Sequence, residues 1–192
     1  MVERLPRSHE PLPLVPVRTG QTVVRQGERC PALWRVVSGV LTAAAVGHDG
    51  RELTLDVLGP GDPVGEPAGG ISALTVRALR PSRLVPVSGL DVGVLLAARA
   101  RRREALACDL AWLGVADRVA RRLDDLAARF GRPVPGGTLI PFTLTQESLA
   151  ALAGTSREST NRAIRRLVAF GAIAVAGRGR YIVRHHLRAL RP

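Results

Sequence analysis

Residues 144–171 read LTQESLAALAGTSRESTNRAIRRLVAFG. Thr145 is placed to cap a short helix whose Leu149 and Leu152 face inward. Gly154-Thr155-Ser156 makes a tight turn, and a second helix runs from about Arg157 to Phe170 and stops at Gly171. Two short helices across such a turn form a helix-turn-helix, the unit that sets its second helix into the major groove of DNA. At about 100° per residue, Arg157, Glu158, Arg162 and Arg165 share one side of that helix, and Thr160, Ala163, Ile164, Leu167 and Phe170 share the other. The charged side is expected to meet DNA and the apolar side the core. A solvated surface is the bland alternative for the arginines, and a capping box of Thr155 with Glu158 the bland alternative for the acid. The turn that aims this face, and the scarcity of acids to balance it, weigh for the groove.

Downstream, Ala172–Val175 and Arg180–Val183 flank Gly177-Arg178-Gly179 and read as a small hairpin, the wing of a winged helix. Charge supports this assignment. Net charge is +12, and all 28 basic residues are Arg. Residues 1–98 hold 10 Arg against 9 acids, whereas residues 132–192 hold 10 Arg against only Glu147 and Glu158. A basic C-terminal module behind a nearly neutral N-terminal one implies a nucleic-acid or anionic-surface partner. Aromatics are 3% of the chain, too few for the stacking platforms that bind single strands, so double-stranded DNA is the expected partner.

Upstream, from about 20 to 90, the texture is β. Leu53, Leu55 and Val57 alternate with Thr54 and Asp56, and Leu74, Val76 and Ala78 with Thr75 and Arg77, as in strands with one buried face. Glycines punctuate these runs at turn spacing, which predicts an antiparallel barrel or sandwich. The Pro-rich residues 1–19 read as an extended lead-in with one short strand. Between the halves, residues 91–131 read as one long helix in which Leu106, Leu110 and Leu113 form a stripe for a second copy, and Val119, Leu123, Leu126 and Phe130 a stripe for the chain itself. Burial of both stripes on the chain itself is the alternative. Gly131-Arg132-Pro133 and Pro135-Gly136-Gly137 then predict a hinge. The expected organisation is therefore a β domain at 1–90, a dimerisation helix and linker at 91–131, and a winged-helix domain at 132–192, an α+β chain.

Together these stretches resemble the Crp/Fnr family of bacterial transcription regulators over about residues 15–188. The matching pieces are G-x-x-V-x-x-Q-G-E at 20–28, S-G-V at 38–40, G-R-E-L-x-L-x-x-L-G-P-G-D at 50–62, Gly65-Glu66, and Ser156-Arg157-Glu158-x-x-x-Arg162. The resemblance implies an N-terminal β-roll of the cyclic-nucleotide-binding type, a dimerisation helix and a C-terminal winged helix. It also implies a homodimer, more often an activator than a repressor, with RNA polymerase as a further partner. Residues matching Arg157, Glu158 and Arg162 read a TGTGA-like half-site in the family. That suits the chemistry, because an Arg fork matches guanine O6 and N7 and Glu accepts from cytosine N4. Thr145, Ser156, Ser159, Arg165, Arg178 and Arg180, with Arg184 nearby, are expected to touch the DNA backbone.

The effector side departs from the resemblance. Cyclic-AMP-binding members follow the Gly-Glu pair by an Arg-Ser or Arg-Thr pair that holds the phosphate, and here Ser72 and Ala73 stand at those positions. Arg77 lies further along the strand. Arg103 and Glu104 stand where a cyclic-AMP responder carries Thr-Ser on the long helix. Gly65, Glu66, Ser72, Ala73, Arg103 and Glu104 thus make a degenerate pocket, with Glu66 lacking a positive partner and serving its turn. DNA binding without cyclic AMP is expected, either constitutive or answering to another nucleotide or small effector.

The remaining function classes are excluded on composition. Cys30 and Cys108 cannot build a four-thiolate cluster, and with His9 and His48 they make poor haem ligands. His185-His186 has no neighbouring Cys or acid to complete a metal site. There is no Ser/His/Asp set and, without Lys, no phosphate loop of the G-x-x-x-x-G-K-[ST] kind. No enzyme, cofactor or metal is expected. No apolar run reaches a membrane span and the opening residues lack a signal-peptide core, so a cytoplasmic chain with no membrane partner is expected.

Overall fold

The computed structural model describes residues 13–66, 69–87 and 92–184. The first 8 elements are strands: β1 (Val15–Val17), β2 (Thr22–Val24), β3 (Trp34–Ser38), β4 (Leu41–Val46), β5 (Glu52–Leu58), β6 (Pro63–Val64), β7 (Thr75–Ala78) and β8 (Ser82–Pro86). They form two antiparallel sheets ordered β1-β8-β3-β6 and β2-β7-β4-β5. Val36, Leu41, Leu58, Val64, Val76 and Leu84 meet between the sheets, so the predicted alternation of β7 is realised. β5 departs from it. Its polar residues Thr54 and Asp56 are also buried, because helices from the second half of the chain cover the strand's other face.

The first of those helices is α1 (Val92–Trp112); α2 (Val115–Phe130) follows it, and a third helix, described below, also lies on β5. The single helix expected over 91–131 is therefore two, broken at Leu113-Gly114, where Gly114 is extended and serves as the N-cap of α2. Glycine costs a helix interior about 1 kcal/mol relative to alanine, and here the break is stabilised from outside. Arg118 Nη1 donates to the carbonyl of Leu113 at 3.0 Å, and its Nε donates to that of Ala153 at 2.9 Å.

The dimer stripe also needs correction. Leu106 is only 2% exposed within a single protomer, and Leu110 and Leu113 are half-buried, so Leu106 at least is unavailable to a partner. The face of α1 left open carries Gly93, Ala97, Ala100, Glu104, Ala107 and Ala111, at heptad-like spacing, with Val94 and Trp112 exposed beside it.

After α2 come β9 (Arg132–Val134) and β10 (Gly137–Leu139), then α3 (Gln146–Ala153), α4 (Arg157–Ala169), β11 (Ile173–Val175) and β12 (Tyr181–Val183). The Gly/Pro segment predicted as a hinge is instead the β9-β10 hairpin. It adds to the wing strands in the sheet β11-β12-β10-β9. Val119, Leu123 and Leu126 of α2 pack with Leu149, Leu152, Ile164, Leu167 and Ile173, so α2 belongs to the same core as the helix-turn-helix. Val40 of the β3–β4 turn and Val57 of β5 reach into that core.

Candidate nucleic-acid interface and effector pocket

The helix-turn-helix forms where the sequence placed it. The Thr145 hydroxyl accepts from the Ser148 amide at 3.0 Å and caps α3. Gly154 ends α3 in the left-handed region (φ +59°), where a side chain would be strained. A Cβ there would also lie 2.5 Å from Leu110 of α1. The cap of α4 differs from the capping-box alternative: Ser156, not Thr155, accepts from the Ser159 amide at 3.1 Å. Glu158 is left free to face outward. Thr160, Ala163, Ile164 and Leu167 are buried as expected. Phe170 is not; it is 72% exposed beyond the end of α4, with the Arg166 guanidinium 5.6 Å from its ring centre.

Arg157, Glu158, Arg162 and Arg165 are exposed on the outer side of α4. They are held in part by neighbours. Arg162 donates to Glu158 at 2.8 Å and to the Ser159 hydroxyl at 3.1 Å. Arg157 reaches Gln146 at 3.5 Å, and Asn161 donates to the same Gln146 oxygen at 2.8 Å. Gln146 thereby links the starts of α3 and α4, a contact that no local pattern revealed. Arg178 and Arg180 are exposed at the wing, Arg184 just beyond it, and Thr145 and Ser156 are exposed at the two helix starts. His185-His186 lies outside the described residues.

The effector pocket differs more. Ser72 is buried, and its hydroxyl donates to the Leu74 carbonyl at 2.7 Å, which occupies its one proton. Ala73 is exposed and has no side-chain donor. Arg77 is half exposed and 3.9 Å from Glu52. Glu66 does have a positive partner, which corrects the expectation: Arg99 of α1 lies 3.3 Å from its carboxylate and also donates to the Gly65 carbonyl at 3.0 Å. Arg103, one turn on, is half-buried, and Glu104 is exposed. Burial and the adjacent Arg99 charge both pull Arg103 below the usual arginine range.

A second charged cluster joins the β sheets to the helices. Asp56 accepts from Arg102 Nη2 at 2.8 Å and Nε at 3.0 Å, and Arg102 also reaches Asp62 at 2.9 Å. Arg129 of α2 bonds Asp62 at 2.7 Å. The Arg102 guanidinium is pulled down by burial, but Asp56 and Asp62 together outweigh this and hold it above its ordinary value. Beside the cluster, Asp109 pairs with Arg122 and Arg121, and a cavity of about 400 Å³ opens between β5, α1, α2 and Leu152 of α3.

A β-roll joined through helices to a winged helix-turn-helix with an outward arginine face defines a DNA-binding transcription regulator. The comparisons agree: residues 14–98 match the cyclic nucleotide-binding domain, and residues 117–192 the Crp-like helix-turn-helix domain. The chain is 34% identical over 176 residues to the CRP-like cAMP-activated global transcriptional regulator of Mycobacterium tuberculosis, covering 83% of this chain and 79% of that one. It is 30% identical over 187 residues to the CRP-like protein Clp of Xanthomonas euvesicatoria, covering 85% and 80%. Among solved structures, a CRP/FNR family regulator from Thermus thermophilus superposes with a TM-score of 0.80 at 25% identity, covering 93% of this chain and 97% of that one. The c-di-GMP responsive regulator CLP of Xanthomonas campestris gives 0.77 at 27%, covering 90% and 94%.

The chain belongs to the Crp/Fnr family of transcription regulators. These relatives are regulators and not enzymes. Among the described residues, no helix is long and apolar enough to cross a membrane.

Proposed function

We propose that the protein is a homodimeric activator that reads a palindromic TGTGA-like site without cyclic AMP. The observation that carries this reading is the exposed Arg157, Glu158 and Arg162 face, presented by a capped helix beside a wing bearing Arg178 and Arg180. Arg forks recognise guanine and a carboxylate recognises cytosine N4, so this set favours a G·C-containing half-site. Two half-sites follow from two copies, and we place the contact between copies on the Ala97, Ala100, Ala107 and Ala111 face of α1. Its small side chains would let two helices approach closely. In this reading the β-roll occupies 1–90, α1 joins the copies, α2 moves with the DNA-binding unit, and the protein works in the cytoplasm with RNA polymerase as partner.

Cyclic AMP independence is supported by the spent Ser72 hydroxyl, the donorless Ala73 and the outward Arg77. An anionic phosphate leaves water at a high cost unless donors replace it. The relatives do not decide the effector, since one is described as cAMP-activated and another as c-di-GMP responsive. A second reading, in which another small effector is needed for DNA binding, is favoured by the buried, unpartnered nitrogens of Arg103.

Selection of binding sites from random DNA by the purified apo protein, with and without cyclic AMP, tests the proposal. A palindrome enriched equally in both arms is expected. Enrichment only with cyclic AMP, or of a non-palindromic site, overturns it.

A further inference from the structure

Gln146 is the first residue of α3, directly after the capping Thr145, yet its side chain serves α4. Its Oε1 accepts from Asn161 Nδ2 at 2.8 Å and lies 3.5 Å from Arg157 Nε. Arg157 and Asn161 are four residues apart and so stand one above the other on α4. At about 100° per residue, Asn161 falls between Arg157 and Arg165 on the outward side. It is half-buried, where the arginines on that side are exposed. Among the described residues, every side-chain hydrogen bond between α3 and α4 ends on this one Gln146 oxygen. That pattern fixes the amide orientation, since a rotated Gln146 would turn its own NH2 toward two other donors.

The contact bears on recognition through the nitrogen it uses. A guanidinium reads guanine O6 and N7 with a pair of parallel N–H groups. Gln146 engages Nε, the inner nitrogen, so the two terminal nitrogens stay available as that pair. An arginine has many rotamers to lose on binding, and one already held at its inner nitrogen loses fewer. Asn161 completes the arrangement, because its bond keeps the Gln146 oxygen in place beside Arg157. We propose that Gln146 is a positioning residue for DNA recognition, which orients Arg157 toward its guanine from the neighbouring helix with Asn161 as its anchor. On the other side of the face, Glu158 does the same for Arg162 from within α4. Gln146 thereby sets how strongly one base pair of the site is discriminated. This inference rests on the reading of Arg157 as a base contact.

Equilibrium binding of the full-length protein to the palindrome enriched by site selection tests it, with each of the four bases placed in turn at the pair where Arg157→Ala loses preference. Gln146→Met keeps the length of the side chain and removes the acceptor. It is expected to lower the preference for guanine at that pair about 3- to 10-fold per half-site, the size of one net hydrogen bond. The pair read by Arg162 and the salt slope should stay unchanged. Gln146→Glu, which restores an acceptor, is expected to keep the preference while its charge weakens all sequences alike. Added to Arg157→Ala, Gln146→Met should change nothing further at that pair. Uniform weakening of every sequence by Gln146→Met marks a phosphate contact, and loss of preference at a different pair marks direct base reading by Gln146; either overturns the proposal. An unchanged preference in Gln146→Met beside a lost one in Arg157→Ala overturns the positioning role alone. An unchanged preference in Arg157→Ala removes the base-reading role and this inference with it.

Discussion

Arg162 donates to Glu158 at 2.8 Å across one turn of α4, so two side chains proposed to read neighbouring bases hold each other in the free protein. The pair is exposed, and such i,i+4 contacts are worth only a few tenths of a kcal/mol, so DNA can rearrange it at little cost. Arg157→Ala or Arg162→Ala is expected to weaken binding to the cognate palindrome by about 1–3 kcal/mol per half-site and to relax preference at one base pair. Competition between cognate and scrambled DNA checks this. An unchanged ratio in Arg157→Ala would remove α4 from base recognition.

Arg178, Arg180 and Arg184 lie exposed on or beside the wing and are expected to touch phosphates. Replacing them should weaken all sequences alike. If about six phosphates are neutralised, log K falls against log salt with a slope near −5, and each lost contact makes it shallower by about 1. Fluorescence anisotropy across a salt series measures both quantities.

Arg118 is bound to three carbonyls at once: Leu113 at the end of α1, Ala153 at the end of α3, and Gly154 in the turn. Helix C-termini carry unsatisfied carbonyls and partial negative charge, so a guanidinium there both caps and neutralises. Arg118→Ala is expected to cost about 2–3 kcal/mol in urea unfolding and to raise amide exchange around 113–118 and 152–156. Local exchange left at the wild-type rate would show that Arg118 does not hold the joint.

Asp56 is 2% exposed at its side chain and lies within ion-pair distance of Arg102 and Arg129. Asp56→Asn removes the charge and leaves these guanidinium groups to Asp62 alone. A destabilisation of about 3 kcal/mol is expected, as for a broken buried pair. The loss should fall in proteins with Arg102→Met already in place, and a double-mutant cycle by chemical denaturation reads that coupling.

The exposed small-residue face of α1 predicts the assembly. Ala107→Arg puts a long cation on the proposed contact and should give a monomer by sedimentation velocity at micromolar concentration, with no loss of secondary structure. A wild-type monomer under the same conditions contradicts the homodimer itself.

The β-roll strands, the two DNA-facing helices and the wing were legible because each carries a local signal: alternation, a cap, a glycine turn. Four features were not. The break at Leu113-Gly114 escaped because the apolar stripes run on across it, and it is Arg118, a charged residue outside both stripes, that stabilises the ends. Thr54 and Asp56 read as solvent-facing because alternation records polarity, not which face a later helix covers. Glu66 seemed unpaired because its partner Arg99 is 33 residues away on another element. Phe170 was misassigned for the opposite reason: helical periodicity was extended through the residue where the helix ends.

The turn between α3 and α4 touches both other parts of the molecule, since a Cβ on Gly154 would meet Leu110 of α1 and Leu53 of β5. Swapping the winged helix for one from another regulator therefore cannot be treated as exchanging a cassette. A chimera cut at 131 would part α2 from the core it helps to build, and one cut at 114 would still need the graft to match Leu53 and Leu110. New operator specificity is more safely obtained by changing the outer face of α4 than by transplanting the domain.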